Sequence, residues 1–150
     1  MRRIVRSTVV FLAAGLAGPL IRWIMPLAPT GSGVRSSIGD FVYSLVLFLW
    51  PAQLLGVIEV NTGRLVAAII SVGVNLLLFG AVGALAGICG KKPAGLVSLY
   101  LVVCAMVVAL AIWASGLPFT YLEVSALAAS LLLYAVPFLV VFQLSRNPSR

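Results

Sequence analysis

The chain has 150 residues, 63% apolar and 9% charged, with ten Lys/Arg against three Asp/Glu and no His. Soluble domains run at roughly 45–50% apolar and about 25% charged, and a chain this short keeps too much surface per unit volume to hide the excess in a core. An ordinary water-soluble domain is therefore excluded and a bilayer is required as solvent. The missing His and the scarce acids also exclude histidine-ligated haem or zinc, His-dependent triads and acidic calcium loops, and two Cys make no disulfide scaffold.

Five apolar segments follow one another at 7–27, 41–60, 65–88, 94–115 and 119–144. The last four each reach the length of about 20 residues that a helix needs to cross a bilayer. Their separators are short and turn-like: 61–64 reads Asn-Thr-Gly-Arg, 90–93 Gly-Lys-Lys-Pro and 116–118 Gly-Leu-Pro. Links this short make antiparallel helical neighbours. No ten-residue alternating pattern suggests a transmembrane barrel. The expectation is an all-α polytopic membrane protein: a single integral membrane domain over 1–150, an antiparallel bundle of four firm spans preceded by a broken, re-entrant or spanning helix.

The first segment is the ambiguous one. Its clean apolar run, 7–21, is fifteen residues, contains Gly15, Gly18 and Pro19, and is cut by Arg22. Arg2, Arg3 and Arg6 ahead of it, with small residues at 14–18, resemble a signal peptide. Basic residues decide orientation. With segments two to five spanning and the loop carrying Arg35 inside, a re-entrant first segment leaves nine Lys/Arg inside and only Arg64 outside; a spanning first segment puts Arg2, Arg3 and Arg6 outside as well. The count favours the broken, partly inserted form, with the C-terminus cytoplasmic in either case. Scattered at segment ends, these charges form no basic face of the kind nucleic-acid binding needs.

The acids have structural readings. Asp40 follows Ser37, and Glu123 follows Thr120, at capping-box spacing. Glu59 faces Arg64 across a short turn. None lies mid-span, which argues against proton or sodium coupling. The deep polar residues are neutral. Gln53 and Asn75 fall about one helical turn apart in depth on consecutive spans, near Ser71, so interhelical hydrogen bonding is the plain reading and a polar spot on a solute path the functional one. Pro51, after Trp50, frees the carbonyl of Leu47 and should kink the second span, with Asn75 as a possible donor to it. Trp50, Pro51, Gln53 and Asn75 are thus the candidate intramembrane polar site. Pro137 marks a second kink.

Segment three carries Gly73, Gly80, Gly83 and Gly87, a small-residue stripe of the kind that lets helix backbones approach. Pairs of small residues on later spans, Ala105 with Ala109 and Ser125 with Ala129, offer it an intramolecular partner. Cys89 and Cys104 differ in depth and support no redox pair. No catalytic residue, metal site or cofactor is expected. The functional expectation is a small non-catalytic membrane protein, an accessory, assembly or scaffold subunit packing against other membrane helices in a hetero-complex or homo-oligomer. The alternative is a small oligomeric transporter or pore for a neutral or poorly charged solute, with its polar spot at Gln53 and Asn75. Composition and the Arg bias suit a bacterial inner membrane.

Overall fold

The computed structural model describes residues 1–24, 37–50, 64–90, 92–115 and 119–146. Among them are five helices: α1 (Arg2–Ile24), α2 (Ser37–Leu49), α3 (Arg64–Cys89), α4 (Pro93–Ser115) and α5 (Tyr121–Arg146). The chain is a helical membrane bundle. Four helices are long and apolar enough to cross a bilayer, over Arg2–Leu20, Ile69–Cys89, Pro93–Ala114 and Tyr121–Arg146. Large apolar side chains stand open on their outer faces, Leu77, Leu132 and Trp113 being 75, 72 and 70% exposed, as suits surfaces solvated by lipid.

The first segment is a continuous helix. Of the forms expected for it, the broken one is not observed: α1 runs unbroken through Pro19. Proline removes the hydrogen bond to the carbonyl four residues back, here Gly15, and the break that this invites is healed from outside the helix, as described below. The second segment, expected as a span over 41–60, is helical over Ser37–Leu49. At about 1.5 Å per residue this helix is about 20 Å long, short of a hydrocarbon core of about 30 Å. Its remaining residues, 51–60, lie outside those described. The described helix ends at Leu49 and Trp50 is no longer helical, because the residue before a proline is pushed out of the helical region; the kink expected at Pro51 lies outside the described residues.

Packing sets the direction of each helix. Gly83 meets Ser7, Thr8 and Phe11; Gly87 meets Ile4; Gly80 meets Leu12. As the numbers rise on α3 they fall on α1, so the two are antiparallel. The α3–α4 and α4–α5 connections reverse direction again, with Tyr100 on Phe138 near one end and Ala111 near Ala126 at the other. Arg2, Arg3, Arg6, Lys92 and Arg146 therefore gather at one end of the bundle, while Arg22 of α1 and Arg64 of α3 lie at the other. Because α1 finishes where α3 starts, the chain between them leaves and rejoins the same end. Phe41, Leu45 and Phe48 of α2 pack with Ala111 and Ala126 at that end.

An aromatic core joins α1, α3, α4 and α5. Phe11 and Phe138 meet edge to face with centroids 4.9 Å apart, Tyr100 and Phe138 at 5.5 Å, and Phe79 stacks on Tyr134 at 5.7 Å. Such pairs contribute about 0.5–1.5 kcal/mol beyond the area they cover. The start of α5 is held by a reciprocal cap. The Thr120 N–H donates to Glu123 Oε2 at 2.7 Å, and the Glu123 N–H to Thr120 Oγ1 at 3.3 Å.

Candidate functional site

The deep polar residues collect where α1, the end of α2 and α3 meet. Ser71 and Asn75 are four apart on α3 and share a face; they are 1% and 0% exposed. The Asn75 amide donates through Nδ2 to the carbonyl of Gly15 at 2.6 Å. That carbonyl is the one Pro19 leaves without its helical N–H, so a side chain on a neighbouring helix replaces the missing backbone donor. In hydrocarbon such a replacement is needed, since a freed carbonyl has no water to turn to. Gly15 makes the approach possible: a Cβ there would lie 2.9 Å from Phe79 Cγ.

Asn75 thus serves Pro19, where the sequence suggested Pro51. The carbonyl freed by Pro51, that of Leu47, accepts from the Trp50 N–H at 3.2 Å, a tightened last turn of the usual kind. The next carbonyl, that of Phe48, accepts from the Tyr134 hydroxyl at 3.0 Å. Trp50 is 5% exposed and points Nε1 at the Ser71 carbonyl, 3.5 Å away. It also lies over Gly18 of α1, where a Cβ would sit 3.2 Å from the indole Cβ. Trp50, Ser71 and Asn75 are therefore together. Pro51 and Gln53 lie outside the described residues.

The two remaining polar atoms of the cluster, Ser71 Oγ and Asn75 Oδ1, are buried and have no hydrogen-bond partner among the described residues. The two described carboxylates are not brought to this level of the bundle: Asp40 and Glu123 stand in the first turns of their helices. Among the described residues no three His, Cys, Asp or Glu side chains gather as a metal site.

The glycine stripe lies against α1, whose role as its partner was not legible among the small-residue pairs of later spans. A Cβ on Gly83 would sit 2.8 Å from both Phe11 Cβ and Thr8 Cα. Across this contact the Ser7 hydroxyl donates to the Gly83 carbonyl at 2.8 Å. Gly73 has nothing near its Cβ direction. Three side chains that the sequence reading passed over, Ser7, Tyr100 and Tyr134, make interhelical bonds; Tyr100 donates to the Leu131 carbonyl at 2.9 Å. Their signal was a hydroxyl inside an apolar run. Between α3 and α4 lies a cleft of about 560 Å³, lined by Leu78, Val82, Val103, Met106 and Trp113 among others, all apolar at their tips except Tyr134.

Comparison with known proteins finds no family profile, no characterised protein and no solved structure that matches this chain.

Proposed function

We propose that this chain is a non-catalytic membrane subunit that works by packing, an accessory, assembly or scaffold protein for other membrane helices. The observation that carries the reading is the use made of the deep polar groups. Asn75, Ser7, Tyr100 and Tyr134 all donate to backbone carbonyls of neighbouring helices, and Asn75 is sealed from solvent. Polar atoms on a solute path stay accessible to the solute; these hold one helix to another. An enzyme is disfavoured on the same ground, since the described residues bring no nucleophile and base together at depth.

The distribution of charge supports an orientation. Arg2, Arg3, Arg6, Lys92 and Arg146 at one end, against Arg22 and Arg64 at the other, make the first end cytoplasmic under the positive-inside rule. Both termini then face the cytoplasm, and a bacterial inner membrane is the setting that composition favours.

One observation favours the second reading, a small oligomeric transporter or pore for a neutral solute. α2 leaves the helical form at Trp50, inside the bundle, next to two buried polar atoms, Ser71 Oγ and Asn75 Oδ1, that have no partner among the described residues. Irregular backbone at membrane depth is tolerated where it is enclosed by protein or lines a cavity. Native mass spectrometry of the tagged protein, extracted gently from its own membranes, separates the two. A stable complex with other polypeptides is the expected result. A homo-oligomer with nothing else bound overturns it and directs flux assays to Gln53 and Asn75 variants.

A further inference from the structure

We infer that the arginine-rich end of the bundle is a binding site for a phosphate group, formed where α1 begins and α5 ends. Arg2, Arg3, Arg6 and Ser7 from one side, with Leu144 and Ser145 from the other, line a cavity of about 230 Å³. This is smaller than the cavities that hold drug-sized ligands and leaves room for a phosphate group. Three arginines line it. Arg2 and Arg6 are exposed, but Arg3 folds inward: its Nη2 lies 2.8 Å from the Cβ position of Gly90, at the end of α3. Two of its donor nitrogens, Nε and Nη2, are shut off from solvent and have no acceptor among the described residues.

A shielded guanidinium without an acceptor is costly, because it has given up hydration and gained no counter-charge. The described acids cannot supply one: Asp40 and Glu123 lie in the first turns of α2 and α5, and Glu123 is at the far end of the helix that contributes Ser145. The two hydroxyls at the cavity are committed elsewhere, Ser7 to the Gly83 carbonyl and Ser145 to the Phe142 carbonyl at 2.7 Å. Charge compensation must therefore come from outside the described residues. The planar fork of arginine suits phosphate oxygens better than an ammonium does. Below the charges the wall turns apolar at Val141 and Leu144, and Val5 on the adjoining face of α1 is 54% exposed. A phosphodiester at the membrane surface would keep its charge among the arginines and leave acyl chains free to run along that face.

The test measures thermal stabilisation and ligand retention in detergent, with phosphatidylglycerol, phosphatidylcholine and inorganic phosphate as separate probes. Phosphatidylglycerol is expected to be retained in preference to phosphatidylcholine, with about tenfold weaker retention in Arg3→Gln, the value of one charge-assisted contact. Arg3→Lys, which keeps the charge and loses the fork, is expected to weaken it several-fold, while Arg64→Gln at the opposite end leaves it unchanged. Equal Arg3-dependent stabilisation by inorganic phosphate also supports the site, with a soluble phosphate compound as its source. Should Arg3→Gln fail to fold, Arg6→Gln carries the same expectation. No preference for either phosphate probe over phosphatidylcholine, or a preference that survives both Arg3→Lys and Arg6→Gln, overturns the inference.

Discussion

The two seams of α3 differ in a way that chain connectivity does not foretell. α4 follows α3 after a turn of a few residues, yet the two helices part around a cleft of about 560 Å³. α1 is separated from α3 by some forty residues of chain, yet it lies so close that a single methyl group at Gly83 has no room. The difference is in the side chains. On the α1 face α3 presents Gly80, Gly83 and Gly87, and backbone meets backbone; on the α4 face it presents Leu78 and Val82 to Val103 and Met106. In lipid there is little hydrophobic gain from closing the second seam, because acyl chains solvate those side chains as well as another helix does. A short loop makes helices neighbours; small residues and carbonyl acceptors decide which neighbours touch.

The all-or-none consequence of the close seam is topological. If α1 runs the length of α3, then cysteines introduced at positions 3 and 92, in a chain with Cys89 and Cys104 replaced by Ser, are labelled by a membrane-impermeant thiol reagent from the same side, and one at position 64 from the other. Labelling of all three from one side breaks the antiparallel pairing of α1 with α3. The largest expected change in stability is at Gly83→Leu. Its side chain meets Phe11 and the α1 backbone at Thr8 and Ser7, and forcing the helices apart costs about 3 kcal/mol or the fold itself. A thermal midpoint unchanged by this substitution would place that face of α3 against lipid.

How much of this was legible in the sequence depends on the period of the signal. Long apolar runs punctuated by Gly-Lys-Lys-Pro and Gly-Leu-Pro declare α3, α4 and α5 directly, since lipid demands length and turns demand Gly and Pro. The Thr120–Glu123 cap is equally local, and its geometry follows from its spacing. The first two segments were harder because each contains a proline whose effect depends on a distant partner. Pro19 breaks nothing, because Asn75 on α3 reaches the carbonyl of Gly15. Ahead of Pro51 the chain leaves the helix at Trp50, whose N–H turns back on Leu47 while Tyr134 donates to the Phe48 carbonyl. Segment length and charge count contain neither fact. Trp50 and Asn75 could be picked out as deep polar or amphipathic residues; that they serve different prolines is a property of the packed bundle. The arginine cavity was invisible for the same reason, since it joins the two extremities of the chain.

The role given to Asn75 has a measurable coupling. Asn75→Leu is expected to destabilise the bundle by about 1 kcal/mol, within the range of interhelical hydrogen bonds in membranes, with partner binding unaffected. In a Pro19→Ala background the residue at 19 regains its N–H, Gly15 recovers a helical donor, and the same substitution should cost about half as much or less. A double-mutant cycle on thermal unfolding in detergent reads this difference. Additive effects would detach Asn75 from Pro19. Loss of partner binding or of flux at unchanged stability would instead make Asn75 part of a working site.

The smallest effect is expected on the open seam, and its smallness is the point. Ala109→Leu adds three carbons at the wall of the α3–α4 cleft. In a close-packed interior an addition of that size typically costs 1–3 kcal/mol through displaced neighbours. Here Ala109 is exposed and the space beside it is empty of described residues, so the stability read from thermal unfolding in detergent should change by no more than about 0.5 kcal/mol in either direction. Set beside Gly83→Leu, the same kind of enlargement on the α4 wall of the other seam would then differ severalfold in cost, which is the contrast between the two seams stated as a number. A penalty at Ala109 as large as that at Gly83 would mean that α4 closes on α3 in the folded protein, and the distinction between a sealed seam and a lipid-solvated one would fall.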